Sequence, residues 1–271
     1  MIITFLSLIL VGIAAGLLAG LFGLGGGILF TPVLLFMYQS AGVPEPVLWT
    51  IGTSLICNFV SAVSSSYKHY QMDNIFLREG LMVGFFGVAG TVAGRFIATS
   101  TFYSEREFTI FFSMLLLYSV YHFISKKQPE ENRRDKAGKS MLWYHALLLG
   151  LTAGMIASLA GVGGGLTMVP VMTIFLAFGF RKAVSISSTA IVLITFAGWV
   201  QMAYLFPVTA GLTGFHIGYV DFGAALPLVI GGIFGARYGV HLLNVVRMRT
   251  LEIFFAAFIL FVMVRLLFGL F

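Results

Sequence analysis

The sequence predicts an all-α integral membrane protein: a polytopic helical bundle of two inverted-topology repeats, with glycine-broken helices or re-entrant hairpins. Three observations carry that expectation. The 271-residue chain is 59% hydrophobic and only 10% charged, with a mean hydropathy of +1.00, far outside soluble composition. Apolar runs such as 80–99 and 250–270 match the ~20 residues a helix needs to cross ~30 Å of hydrocarbon. A glycine-rich stretch, LFGLGGG at 21–27, returns as LAGVGGG at 159–165. Decads of alternating apolar and polar residues are absent, so the spans read as helices and not as barrel strands.

The duplication is the first element to justify. Residues 12–33, GIAAGLLAGLFGLGGGILFTPV, lie over 150–171, GLTAGMIASLAGVGGGLTMVPV, at a constant offset that superposes the glycines and aligns Pro32 with Pro170. Looser echoes follow, Gly52-Thr53-Ser54 with Ser187-Ser188-Thr189 and the GxxxG before Arg95 with that before Arg237. Between the copies, KKQPEENRRDKAGKS is charged and proline-bearing, which marks a solvated linker. The expected organisation is a first membrane repeat at 1–125, a linker at 126–140 and a second repeat at 141–271.

Each repeat holds one long glycine-broken stretch, 2–40 or 142–178, and three further spans. These are 47–66, 80–99 and 107–125, then 184–206, 220–241 and 250–270, for about 8–10 membrane segments in all. The N-terminal segment lacks a positive n-region and a polar mature start, so it reads as retained and not as a signal peptide.

Loop charge sets orientation. The basic linker belongs in the cytoplasm, with Lys68, Arg78, Arg181, Lys182, Arg247 and Arg249 on the same side, while 39–46 and 206–218, free of Lys and Arg, lie outside. This holds only if each glycine-broken stretch returns to the side it left, either as two crossings or as a re-entrant hairpin. Each repeat then crosses an odd number of times, which inverts the second copy and puts both termini outside. That is the architecture of many secondary transporters of the cell membrane.

The glycines themselves disfavour helix by roughly 1 kcal/mol each relative to alanine, and a proline follows within two turns. Breaks at 23–27 and 161–165 are therefore expected. Freed amides survive in hydrocarbon only where protein, water or ligand satisfies them, so the breaks face a cavity or each other. New helices starting near Ile28 and Leu166 would aim unpaired amides and a partial positive charge at that place, a setting that favours an anion. The backbone of Gly25, Gly26, Gly27, Gly163, Gly164 and Gly165 is the candidate binding surface; a structural hinge is the alternative. The stripes Gly12, Gly16, Gly20 and Gly150, Gly154, Ser158 read as helix packing.

No Asp or Glu falls near the middle of an expected span, which points from cations toward an anion or a neutral cargo. Thr31, Thr53, Ser54, Asn58, Ser187, Ser188 and Thr189 could donate to it, or bond their own helix carbonyls. Arg95 and Arg237 either form a basic entrance at each mouth or snorkel to headgroups. Asp221, at a mouth, is the candidate for proton or ion coupling.

Other classes have little support. Six of the sixteen Lys and Arg residues sit in the linker, as expected of a cytoplasmic loop of a membrane protein, which argues against a nucleic-acid-binding face. The lone Cys57 rules out an internal disulfide, and no His or carboxylate spacing suits a metal or another cofactor. No nucleophile-base pair suggests an enzyme.

The doubled pattern AGLLAGLFGLGGGILFTP (15–32) and AGMIASLAGVGGGLTMVP (153–170) resembles the TauE/SafE family, also called the sulfite exporter or 4-toluene sulfonate uptake permease family. The resemblance covers the whole chain; Ser158 replaces the glycine of the first copy, Gly20, and keeps the surface small. It implies a secondary transporter that moves a sulfur-containing anion such as sulfite or a sulfonate, in either direction. A carrier of another small anion, or a non-transporting membrane component that assembles or senses through its glycine faces, is the alternative. The expected partners are a small anion and membrane lipid.

Overall fold

The computed structural model describes residues 2–23, 25–73, 76–125, 141–207, 211–242 and 260. Among these, nine helices account for nearly all regular structure. The first broken stretch is α1 (Ile2–Phe22) and α2 (Gly27–Ser40), followed by α3 (Pro46–Gln71), α4 (Leu77–Ala98) and α5 (Glu105–Ser125). The second is α6 (Trp143–Ala160) and α7 (Gly165–Ile174), followed by α8 (Phe180–Ala203), a hairpin of β1 (His216–Ile217) and β2 (Val220–Asp221), and α9 (Phe222–Leu242). The linker 126–140 and, apart from residue 260, the expected span 250–270 lie outside the described residues.

The protein is an all-α polytopic membrane protein. Helices α1, α3, α4, α6, α8 and α9 are each long and apolar enough to cross a bilayer. Helices α2 and α7 have 14 and 10 residues, or roughly 21 and 15 Å at 1.5 Å per residue, and are too short to span alone. Polarity is turned outside in. Leu10, Phe85, Leu148 and Phe234 are exposed, whereas Thr31, Ser54, Asn58, Ser61 and Ser187 are fully buried.

Glycine stripes set two close crossings. A Cβ at Gly12, Gly16 or Gly20 would strike the backbone at Leu228, Gly232 or Ala236, so α1 and α9 pack in parallel with almost no side chain between them. Gly150 and Gly154 meet Val83 and Gly87 in the same way, which makes α6 parallel to α4. The expectation of packing for these stripes holds. Ser158 stands where the first copy has Gly20, and its hydroxyl donates to the Thr91 carbonyl at 3.1 Å, adding a bond to the crossing.

Between these pairs lie α3 and α8, the most buried of the six long apolar helices. Gly198 faces Leu55, while Ser65 and Ser66 face Ser188 and Thr189, so the two run antiparallel. They form the frame on which the glycine breaks are set.

Candidate functional site

Both expected breaks are present, and they repeat each other. Gly23, Gly25 and Gly26 have φ of 64°, 79° and 79°; Gly161, Gly163 and Gly164 have 69°, 74° and 80°. These left-handed conformations suit glycine and disfavour any residue with a Cβ. Gly26 abuts the Ala15 carbonyl and Gly164 abuts the Ala153 carbonyl, so each chain folds back on the helix it has just left. The new helices begin at Gly27 and Gly165, one residue earlier than Ile28 and Leu166, because the left-handed glycine before each already caps it. Their first bonds are donated by Leu29 and Phe30 to Gly26, and by Thr167 and Met168 to Gly164. The amides of Gly27, Ile28, Gly165 and Leu166 stand ahead of those bonds, at the positive end of each helix.

The two breaks touch. A Cβ on Gly27 would run into the Val162 Cα, the Asn58 amide nitrogen at 2.7 Å and the Gly161 carbonyl at 2.9 Å. Gly25 and Gly163 have more room and look into the same place: a Cβ on Gly25 would meet Asn58 Oδ1 and Ile191 at 3.3 Å, and one on Gly163 would meet Ile191 at 3.1 Å and Thr195 at 3.2 Å. Gly25 and Gly163 therefore converge on the same two side chains, Asn58 and Ile191, at the middle of α3.

Each break is tied to the frame by hydroxyls. Ser187 on α8 donates to the Gly23 carbonyl at 2.7 Å. On the other side, the Gly161 carbonyl is reached by Asn58 Nδ2 at 2.7 Å, Ser54 at 3.0 Å and Thr31 at 3.3 Å. Asn58 Nδ2 is thus engaged while its Oδ1, fully buried, has no partner among the described residues.

Of the residues singled out from sequence, Gly25, Gly26, Gly27, Thr31, Ser54, Asn58, Gly163, Gly164, Gly165 and Ser187 gather around the breaks, with Ile28 and Leu166 buried in the first turns of α2 and α7. Others lie apart. Thr53 accepts from the Asp221 amide at 3.1 Å and shares a bond with the Tyr38 hydroxyl at 3.0 Å. Ser188 pairs with Ser65 at 3.3 Å; Thr189 pairs with Ser66 at 3.2 Å and donates to its own helix at Ser185. The Arg95 guanidinium lies 5.0 Å over the Phe96 ring, and Arg237 is exposed. Ile191 and Thr195 were not foreseen. Spacing could have found the first, since Ser187 to Ile191 repeats the four-residue step from Ser54 to Asn58.

The loop before α9 closes one end of this region. Asp221, fully buried, accepts from the Ala224 amide at 3.1 Å, the Thr213 amide at 3.2 Å and the Thr213 hydroxyl, which caps α9 and fixes the hairpin. The carbonyl of Tyr219 presses on Gly52, and its hydroxyl donates to Glu45. Burial and the Glu45 carboxylate push the Tyr219 hydroxyl above its usual range, so it remains a donor.

A family model described as "Sulfite exporter TauE/SafE" matches residues 8–266. A probable membrane transporter protein of Methanocaldococcus jannaschii is 28% identical over 91% of this chain and 89% of its own length. One from Haemophilus influenzae is 27% identical over 97% and 98%, and the Bacillus subtilis protein YunE, also named a probable membrane transporter, is 25% identical over 92% of each. No solved structure matches the chain.

Proposed function

Because the chain belongs to the sulfite exporter TauE/SafE family and is a multi-pass membrane transporter, we propose that it is a secondary carrier of a small sulfur oxyanion, sulfite or a sulfonate, working by alternating access. The anion is held where the two breaks meet. The observation that carries this reading is that Gly25 and Gly163, from separate copies of one motif, converge on the same side chains, Asn58 and Ile191.

The chemistry follows from the backbone. Two helix starts aim amide N–H groups at one region, and glycine leaves no Cβ to keep an oxyanion from them. Asn58 supplies the adjustable donor. When its amide turns toward the ligand, the Ser54 and Thr31 hydroxyls continue to satisfy the Gly161 carbonyl. Ser187 holds the opposite break. Thr53, Ser188 and Thr189 serve the neighbouring helix contacts, and Arg95 and Arg237 draw anions to the mouths.

An inverted relation of repeats 1–125 and 141–271 supports alternating access. It requires α1 parallel to α9, α4 parallel to α6, and α3 antiparallel to α8, as their contacts run. Each motif then serves one side of the cytoplasmic membrane in turn.

The test is flux into proteoliposomes of sulfite, methanesulfonate, sulfate and chloride. Saturable movement of a sulfur oxyanion by the native protein, lost in Gly163→Val, is expected; equal flux in that variant would overturn the site, and no sulfur-anion flux would overturn the cargo.

A further inference from the structure

Helix α3 carries an uninterrupted polar stripe. Thr50, Ser54, Asn58, Ser61, Ser65 and His69 follow at steps of four, four, three, four and four, one face of an α-helix. All six are at most 1% exposed. The hydroxyls of Thr50 and Ser61, Asn58 Oδ1 and both ring nitrogens of His69 have no partner among the described residues. A packed membrane interior satisfies its polar groups unless something else does so in another state. The stripe runs past the meeting of the breaks and ends at His69, in the last turn of α3.

His69 is the titratable group on this stripe. The elements around it are α8, through Ser65–Ser188, α9, through the Ser64 bond to the Ile233 carbonyl at 3.0 Å, and the segment entering α4, through the Phe76 amide on Ser185. Their charged and titratable side chains at that end are Arg181 and Lys182 on α8, Arg237, Tyr238 and His241 on α9, and Arg78 and Glu79 on α4. Lys68, Tyr70 and Asp73 flank His69 in sequence. All are exposed or half-exposed, and none bonds the buried imidazole. Lys182 lies over the rings of Phe76 and Phe178, at 4.9 and 4.6 Å. This rim is basic on balance, attractive to an anion and unfavourable to an added proton alone.

We propose that His69 is the proton-coupling site of the carrier. This rests on the anion reading above. A buried imidazolium without a counter-charge is costly, and so is an anion on a path without a cation. On one buried stripe the two charges offset each other, most strongly as the anion passes the His69 end, eleven residues or ~16 Å along α3 from Asn58. A proton taken from water by a free ring nitrogen is therefore held while the anion occupies the stripe, and both are released on the far side: one proton bound, one proton released, no bond of the anion broken.

The full-length protein in proteoliposomes tests this with methanesulfonate, which stays ionised and carries no proton itself, and in parallel with sulfite, whose own buffering cancels between variants. At one proton per anion, an imposed gradient of one pH unit sustains about a tenfold anion gradient in the native protein. In His69→Gln that accumulation falls to the level of an equal-pH control and the remaining counterflow loses its pH dependence, while an unchanged thermal midpoint in the absence of anion reports a folded protein. Accumulation unchanged in His69→Gln overturns the inference alone. Native flux indifferent to the pH gradient also overturns it, without any variant. A native protein that neither binds nor moves either anion overturns the cargo reading and this inference together.

Discussion

The Ser187 hydroxyl donates to the carbonyl of Gly23 at 2.7 Å, so a helix following the second glycine motif holds the break of the first. The reciprocal bond runs from Ser54 to Gly161, but there Asn58 and Thr31 reach the same carbonyl. The two breaks are therefore fastened unequally. Ser187→Ala should cost about 1–3 kcal/mol by stranding a buried acceptor, and Ser54→Ala less than about 1 kcal/mol. Thermal inactivation half-lives in detergent check the order; equal losses would deny the asymmetry.

Tolerance within each triplet should follow space as well as φ. Gly25 and Gly163 have left-handed backbone but only moderate crowding, so alanine there should cost about 1–2 kcal/mol of folding stability. Gly27 is pressed against the Asn58 amide and the Gly161 carbonyl, so Gly27→Ala should cost more, with backbone displacement. Expression and monodispersity of the three variants, ranked side by side, measure this.

Tyr219 and Glu45 join the hairpin to the start of α3. A hydrogen bond to a charged group is worth about 1.5–3 kcal/mol. Tyr219→Phe should therefore loosen the cover over the N-terminal half of α3. The single cysteine, Cys57, is fully buried on α3 beside Ala225 and reports on it. Its maleimide labelling should speed up by about tenfold or more in the variant. No change would mean that the hairpin does not gate access to this helix.

Sidedness has an independent check. A reporter fused at Gly214 and one at the C-terminus should both register outside, with the linker 126–140 inside. A cytoplasmic Gly214 would contradict the parity on which the inverted relation rests.

Much of this was legible beforehand because glycine is informative in a membrane. Three glycines in a row cannot extend a helix cheaply, and the constant offset between copies made the same break predictable twice. The packing role of Gly12, Gly16 and Gly20 followed from small residues one turn apart. The partners of the polar residues were less legible. Thr53 and Ser54 are adjacent, yet on a helix they point about 100° apart, and only Ser54 reaches a break. Asp221 is legible as a candidate for coupling at a mouth, but not its part in capping α9, which depends on Thr213 and Ala224 being brought to its carboxylate. The stripe ending at His69 is not distinctive in the sequence, because serine and threonine at helical spacing ordinarily bond their own carbonyls.

The most direct measurement is anion-dependent stabilisation of the purified protein, native against Asn58→Asp. Sulfite or methanesulfonate should raise the thermal midpoint of the native protein where chloride does not, and Asn58→Asp, which places a carboxylate beside Gly25, should abolish the shift. An equal shift in Asn58→Asp would contradict an anion site at the meeting of the two breaks.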